Sequence, residues 1–314
     1  MSDSSRFGTK ANRFYPVRHG DPPEMAFFEK ARPRAGEERV AITLGPLTIA
    51  LHGLDAPLAA SVRARYGPYA SDAAGADLSV DVTRDTAAYF IEPPQEPEFN
   101  AVWIACDGSR IRYAGYALAG WLDAQRGQGA VVLGTGTHEP EIQALENYVR
   151  CAVAWCAAER GGALVHGAAA VRNGKAYLFF GESGAGKSTL AEVNRRAAIV
   201  SDDLSLLLPR EGGGLDLIGS PFRGTYEGGA PVLGRFPLAA AFRIVKAPEA
   251  EVTPAPRAVV FGQLVGNLTF VAEAFGPRPD LFASVERAFT SVPLFHLAFR
   301  KDDSYWDAID AAGL

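Results

Sequence analysis

Over the first 135 positions, apolar residues recur in short runs at a period of two. Val40, Ile42 and Leu44 alternate with other residues as far as Gly45-Pro46, and Leu47, Ile49 and Leu51 alternate beyond it. Alternation on both sides of a turn dipeptide predicts a hairpin. Leu78, Val80 and Val82 repeat the pattern, and residues 103–113 repeat it around Asp107-Gly108, a pair that tolerates the positive φ of a tight turn. A single short helix is predicted over 57–66. The first 39 residues lack this periodicity, carry Pro16, Pro22, Pro23 and Pro33, and read as an irregular lead-in.

The period changes after Pro140, which sits where a helix can begin without losing a hydrogen bond. Ile142, Leu145, Val149, Ala152 and Cys156 share one helical face, and Gly161-Gly162 ends the run. Residues 163–171 and 176–180 then read as strands joined by Asn173-Gly174. A helix is predicted after Lys187, a strand at 199–201 and a hairpin through Gly212-Gly213-Gly214. A strand at 239–245, two helical stretches between Arg257 and Ser291, a strand at 294–299 and a short helix from Ser304 complete the pattern. Residues 248–256 read as a loop. This change of texture predicts a strand-rich accessory or substrate-binding region over 1–136 and a second domain over 137–314. The fold class is α/β in the α+β sense.

Composition narrows the function. The 314 residues are 48% apolar and 21% charged, as in an ordinary globular protein. The net charge of −5 argues against a nucleic-acid or anionic-membrane binder, which needs a basic surface. The sequence has no apolar run of the ~18 residues that a membrane helix needs. Residues 1–6 lack the apolar core of a secretory signal. Three cysteines do not make a disulfide framework. Cys151 and Cys156 lie about 140° apart on their helix and, with Cys106, read as core. His19, His52, His138 and His296 show no metal-ligand spacing. A cytoplasmic protein is expected.

The chemistry concentrates in Gly181-Glu182-Ser183-Gly184-Ala185-Gly186-Lys187-Ser188, which fits G-x-x-x-x-G-K-[ST] between an apolar strand and a helix. Glycines let backbone N–H groups turn inward around phosphates, with the dipole of the following helix beneath them. Lys187 can reach the β- and γ-phosphates, and the Ser188 hydroxyl, followed by Thr189, can ligate Mg²⁺. The expected ligand is a nucleoside triphosphate with Mg²⁺. Asp202 and Asp203 follow a short apolar strand, and adjacent carboxylates repel unless a cation or proton is shared. One can face the metal while the other accepts a proton from an attacking hydroxyl. Arg223, in Ser220-Pro221-Phe222-Arg223-Gly224, is the basic loop residue expected to reach phosphate or substrate.

His166-Gly167, the glycine-rich loop and Asp202-Asp203, in that order, resemble the C-terminal catalytic domain of HPr kinase/phosphorylase, to which phosphoenolpyruvate carboxykinases are similar in fold. The resemblance is best over 160–208. Residues 220–224 and 293–302 also look like stand-alone HPr-kinase-related proteins, some of which are small kinases that tailor ribosomal peptides. It implies a mixed, bent sheet with the phosphate loop at one edge, and transfer of the γ-phosphoryl of Mg-ATP to a hydroxyl. The acceptor would be a serine of a peptide or protein, or a small metabolite. It further implies Asp202 as base, Asp203 as metal ligand, His166 near both, and possible assembly into homo-oligomers. The Ile-Arg-Gly-type signature and the arginine loop tied to phosphorolysis are absent, so phosphorolysis is not expected. A nucleotide-binding sensor or assembly module with little transfer is the alternative.

Overall fold

The computed structural model describes residues 17–19, 22–87, 90–91, 102–136 and 139–314. The chain divides into two compact units, Met1–Cys156 and Ala157–Leu314. The change of texture at 136/137 precedes this division, which falls inside a long helix. Thr137 and His138, like residues 1–16, lie outside the described residues.

The first unit holds β1 (Val17–His19), α1 (Met25–Phe28), β2 (Glu38–Leu44), β3 (Leu47–Leu54), α2 (Ala56–Tyr66) and β4 (Ala70–Ser71). It continues with β5 (Leu78–Arg84), β6 (Val102–Asp107), β7 (Arg110–Ala114), β8 (Leu118–Asp123), β9 (Gln128–Leu133) and most of α3 (Glu141–Glu159). Its nine strands form one mixed sheet in the order β1-β6-β7-β8-β9-β5-β3-β2-β4. Gly45 and Gly108 stand at positive φ in the two hairpin turns anticipated by the alternation. Asp55 caps α2 by accepting from the Leu58 N–H at 2.9 Å. Alternation puts Leu78, Val80 and Val82 inside and Ser79 and Asp81 outside. On the inner face, the Tyr148 hydroxyl of α3 donates to the Trp121 carbonyl at 2.7 Å. The lead-in is less irregular than its prolines suggest: β1 pairs in parallel with β6, and α1 is a single helical turn.

The second unit begins with the end of α3, then β10 (Ala163–Arg172), β11 (Lys175–Phe180), α4 (Lys187–Val193), β12 (Ala198–Ser201), β13 (Leu204–Pro209) and β14 (Leu215–Ile218). β15 (Arg235–Lys246), β16 (Glu251–Pro254), α5 (Arg257–Val265), α6 (Pro279–Phe289), β17 (Leu294–Phe299) and α7 (Tyr305–Ala311) follow. Asn173 and Gly174 both take positive φ, as the two-residue turn between β10 and β11 requires. The loop expected at 248–256 contains β16, which pairs antiparallel with β17.

The eight strands form a second mixed sheet, in which β15 runs parallel to β11 and β17 while the other pairs are antiparallel. β10, β13, β14, β15 and β11 pair in a closed ring. The strand that leads into the glycine-rich loop therefore has a neighbour on each side, not the sheet-edge position expected of it. One face packs Tyr177, Phe179, Phe242, Ile244, Leu297 and Phe299 against Leu190 of α4 and Tyr305, Trp306 and Ile309 of α7. α4 stops at Val193, where Asn194 turns extended and its amide donates to the Ala197 carbonyl at 2.7 Å.

Candidate functional site

The apolar run of β11 ends at Phe180, and the chain turns through residues 181–186 into α4. Gly186 caps that helix at φ +112°, and a Cβ there would stand 3.2 Å from the Phe299 ring, so only glycine fits. Leu190 and Ala191 sit in the core and fix the helix. One turn earlier, Lys187 is 7% exposed and donates from Nζ to the carbonyls of Gly181 at 2.8 Å and Glu182 at 3.2 Å. No carboxylate lies within ion-pair distance of it among the described residues. Burial pulls its pKa down to about 8, against the opposing field of Asp203. Gly181 is buried, Ser183 and Gly184 face solvent, Ala185 packs against the core, and Ser188 and Thr189 are half-buried.

β12 and β13 both pair antiparallel with β10, and Asp202-Asp203 lie between them. The Asp203 carbonyl accepts from the Gly167 N–H at 2.8 Å, which holds the carboxylate pair against β10. The two side chains then serve different ends. Asp203, 6% exposed, places Oδ1 4.0 Å from His166 Nε2 and acts on the Lys187 charge. Asp202 accepts from the N–H groups of Gly224 at 2.7 Å, Thr225 at 3.1 Å and Tyr226 at 3.2 Å, and from the Thr225 hydroxyl at 3.4 Å. A carboxylate that accepts from four donors is held in one orientation by them. Asp202, expected as the base, anchors the 224–226 loop in this arrangement, while Asp203 is the carboxylate that faces His166 and acts on the Lys187 charge.

Arg223 also departs from expectation. Its guanidinium donates to five main-chain carbonyls, those of Ile199, Val200, Gly228, Gly229 and Ala230, at 2.9–3.3 Å. A planar fork with five donors is fully used there, so it clamps the long β14–β15 connection and has no donor left for a phosphate. Gly224 beside it must stay bare: a Cβ would meet the Asp203 Cβ at 3.0 Å and an Asp202 oxygen at 3.1 Å.

Three supporting residues escaped the sequence reading. Ser201 donates to the Phe222 carbonyl at 2.5 Å and accepts from the Asp203 N–H at 3.0 Å, which orients the start of the acidic pair. The Asn267 carbonyl accepts from the His166 N–H at 2.7 Å. Arg243, on β15, approaches Glu182 of the loop at 3.5 Å. Only Arg243 left a signal, as a charge inside an apolar strand.

No group of three His, Cys, Asp or Glu side chains among the described residues could hold a metal alone. Mg²⁺ asks for less, because one or two protein oxygens suffice when phosphates and water complete the octahedron. Asp203 and Ser188 carry oxygen donors of that kind. Cys106, Cys151 and Cys156 form no disulfide among the described residues. No helix among the described residues is long and apolar enough to cross a membrane. No family model matches the chain, and no curated protein matches it.

Proposed function

We propose that the chain is an ATP-dependent kinase of the HPr-kinase-related type, moving the γ-phosphoryl of Mg-ATP to a hydroxyl-bearing peptide, protein or small metabolite. The observation that carries this reading is Lys187. A lysine withdrawn from water, bonded only to carbonyls of its own glycine-rich loop and lacking an ion pair, is a cation that an anion can claim. Turned from those carbonyls, its ammonium would neutralise the β- and γ-phosphates, with the loop N–H groups around them. Mg²⁺ would supply charge shielding at the phosphates, held by Ser188 and Asp203. His166, 4.0 Å from Asp203, is the group that takes the proton of the acceptor hydroxyl, and the carboxylate beside it favours the imidazolium that results.

The test pairs binding with transfer. Lys187→Ala should weaken Mg-ATP binding and reduce transfer by about 10²–10³-fold, the loss typical of a removed charge-stabilising donor. His166→Ala should keep nucleotide affinity while transfer to the acceptor falls by about 10²–10⁴-fold. Unchanged ATP affinity and turnover in Lys187→Ala would refute the nucleotide site.

One observation favours a second reading, a nucleotide-loaded sensor with little transfer. Engagement of Asp202 leaves a single carboxylate in the site rather than a separate metal ligand and base. Intact ATP binding with no phosphorylated product across peptide, protein and small hydroxyl acceptors would select it.

A further inference from the structure

The nine-stranded sheet of the first unit has a second face, opposite α3, that the phosphate chemistry does not use. A cavity of about 570 Å³ opens there, a volume within the range of small-molecule sites. Its floor is the outward side chains of two neighbouring strands: Ser79, Asp81 and Thr83 of β5, and Gln128, Ala130 and Val132 of β9. Trp121 of β8 and Phe28 at the end of α1 supply aromatic surface, and the segment after α1 brings Lys30, Arg32 and Arg34.

These three cations have different duties. Arg32, with 8% of its side chain exposed, bonds Asp85 at 2.7 Å and the Phe27 carbonyl at 2.5 Å, and lies 3.9 Å over the Phe27 ring. It holds the segment in place. Arg34 meets Asp81 at 2.5 Å, but both side chains are about half exposed, and such pairs contribute little. Lys30 is exposed and has no acidic partner among the described residues. Asp81 is the one carboxylate among the described lining residues, and Asp85 answers Arg32, so the positive charge left over at this point is that of Lys30. The Arg110 guanidinium stands 5.5 Å from the centre of the Trp121 ring, within cation–π range.

We propose that this cavity binds a small aromatic anion, its ring against Trp121 and Phe28 and its anionic group held by Lys30 and Arg34. The site lies wholly within the first unit and does not depend on the kinase reading.

Calorimetric titration of the full chain with indole-3-acetate, its neutral analogue indole-3-acetamide, and inorganic phosphate tests each half of the claim. The acetate should bind at one site, roughly tenfold tighter than the amide, the gain expected of a hydrogen bond to a charged group. It should also bind more tightly than phosphate and weaken as salt rises. Lys30→Gln and Arg34→Gln should each reduce acetate affinity without changing that of the amide. Both positions are exposed, so these variants should fold, and thermal melting checks that they do. Trp121→Phe should weaken both indoles, whereas Lys187→Ala should leave them unchanged, which separates this site from the nucleotide loop. Equal binding of acetate and amide would overturn the proposal. So would phosphate binding as tightly as the acetate, unaltered affinity in the Lys30→Gln/Arg34→Gln double variant, or no binding of the acetate at millimolar concentration.

Discussion

In the first unit the carboxylate of Glu146, 1% exposed, receives Arg65 at 2.6 and 2.7 Å and Arg150 at 2.6 and 2.9 Å. In the second unit the ammonium of Lys187, almost as deeply buried, meets two neutral carbonyls and no carboxylate. Burial alone would raise the pKa of Glu146, but Arg150 and Arg65 outweigh it and hold the group below the ordinary carboxylate range. Burial lowers that of Lys187 to about 8, and nearby Asp203 only partly opposes it. A buried charge with its full complement of partners is part of the scaffold. One left with carbonyls costs stability, and a bound anion relieves that cost.

The largest effect that can break this contrast is at Glu146. Glu146→Ala leaves Arg65 and Arg150 without their shared partner and should cost about 3–5 kcal/mol in urea unfolding. A loss below ~1 kcal/mol would mean that the cluster is no more structural than the lysine. Next comes Asp202, which the four-donor arrangement assigns to the scaffold. Asp202→Asn should cost about 1–3 kcal/mol and raise proteolysis in the 224–229 loop, with ATP affinity nearly kept. Asp203→Asn should do the reverse, weakening Mg-ATP binding at little cost in stability.

The pH dependence of stability should carry opposite signs in the two places. Glu146 has a folded pKa below its unfolded one. Its contribution is therefore full above about 4.5 and lost as pH falls through the lower folded value. Lys187 has a folded pKa near 8 against 10.5 unfolded. Its penalty is full below 8, and stability rises between 8 and 10.5 as the folded state sheds its proton first. Lys187→Met should remove the alkaline rise and leave the acid limb intact, as thermal melts across pH would show. The smallest effect is the stability change of Lys187→Met at neutral pH, within ~1 kcal/mol or a gain, since a cost is removed along with the charge.

Much of this architecture was legible because local chemistry and tertiary role agreed. Gly45, Gly108 and Asn173-Gly174 mark their turns, and period-two alternation locates β2, β3 and β5. The strand–loop–helix around Lys187 was legible for the same reason, since an apolar strand, glycines and a lysine are contiguous in the chain. The division of labour between Asp202 and Asp203 was not. It depends on N–H groups of residues 224–226, more than twenty positions away, and on His166 from another strand. Arg223 misled for a related reason: a basic residue in a glycine-rich loop looks available until its carbonyl partners at 199–200 and 228–230 are known. β16 was hidden because Pro254 and Pro256 make an edge strand read as a loop.

Asn194, where α4 ends, accepts from the Tyr305 hydroxyl at 3.3 Å and the Trp306 indole N–H at 3.0 Å, partners 111 and 112 residues further along the chain. The helix that carries Lys187 is thus completed by α7, which is synthesised more than a hundred residues later. Until residues 305 and 306 emerge, Leu190 and Ala191 lack part of the apolar surface they are buried against, and the nascent loop has no fixed floor. Contacts of such long sequence separation close late and slowly. Nucleotide affinity should accordingly be acquired only once residues 305 and 306 have emerged, so that nascent chains stalled before residue 305 hold ATP poorly, whatever the state of the loop sequence itself.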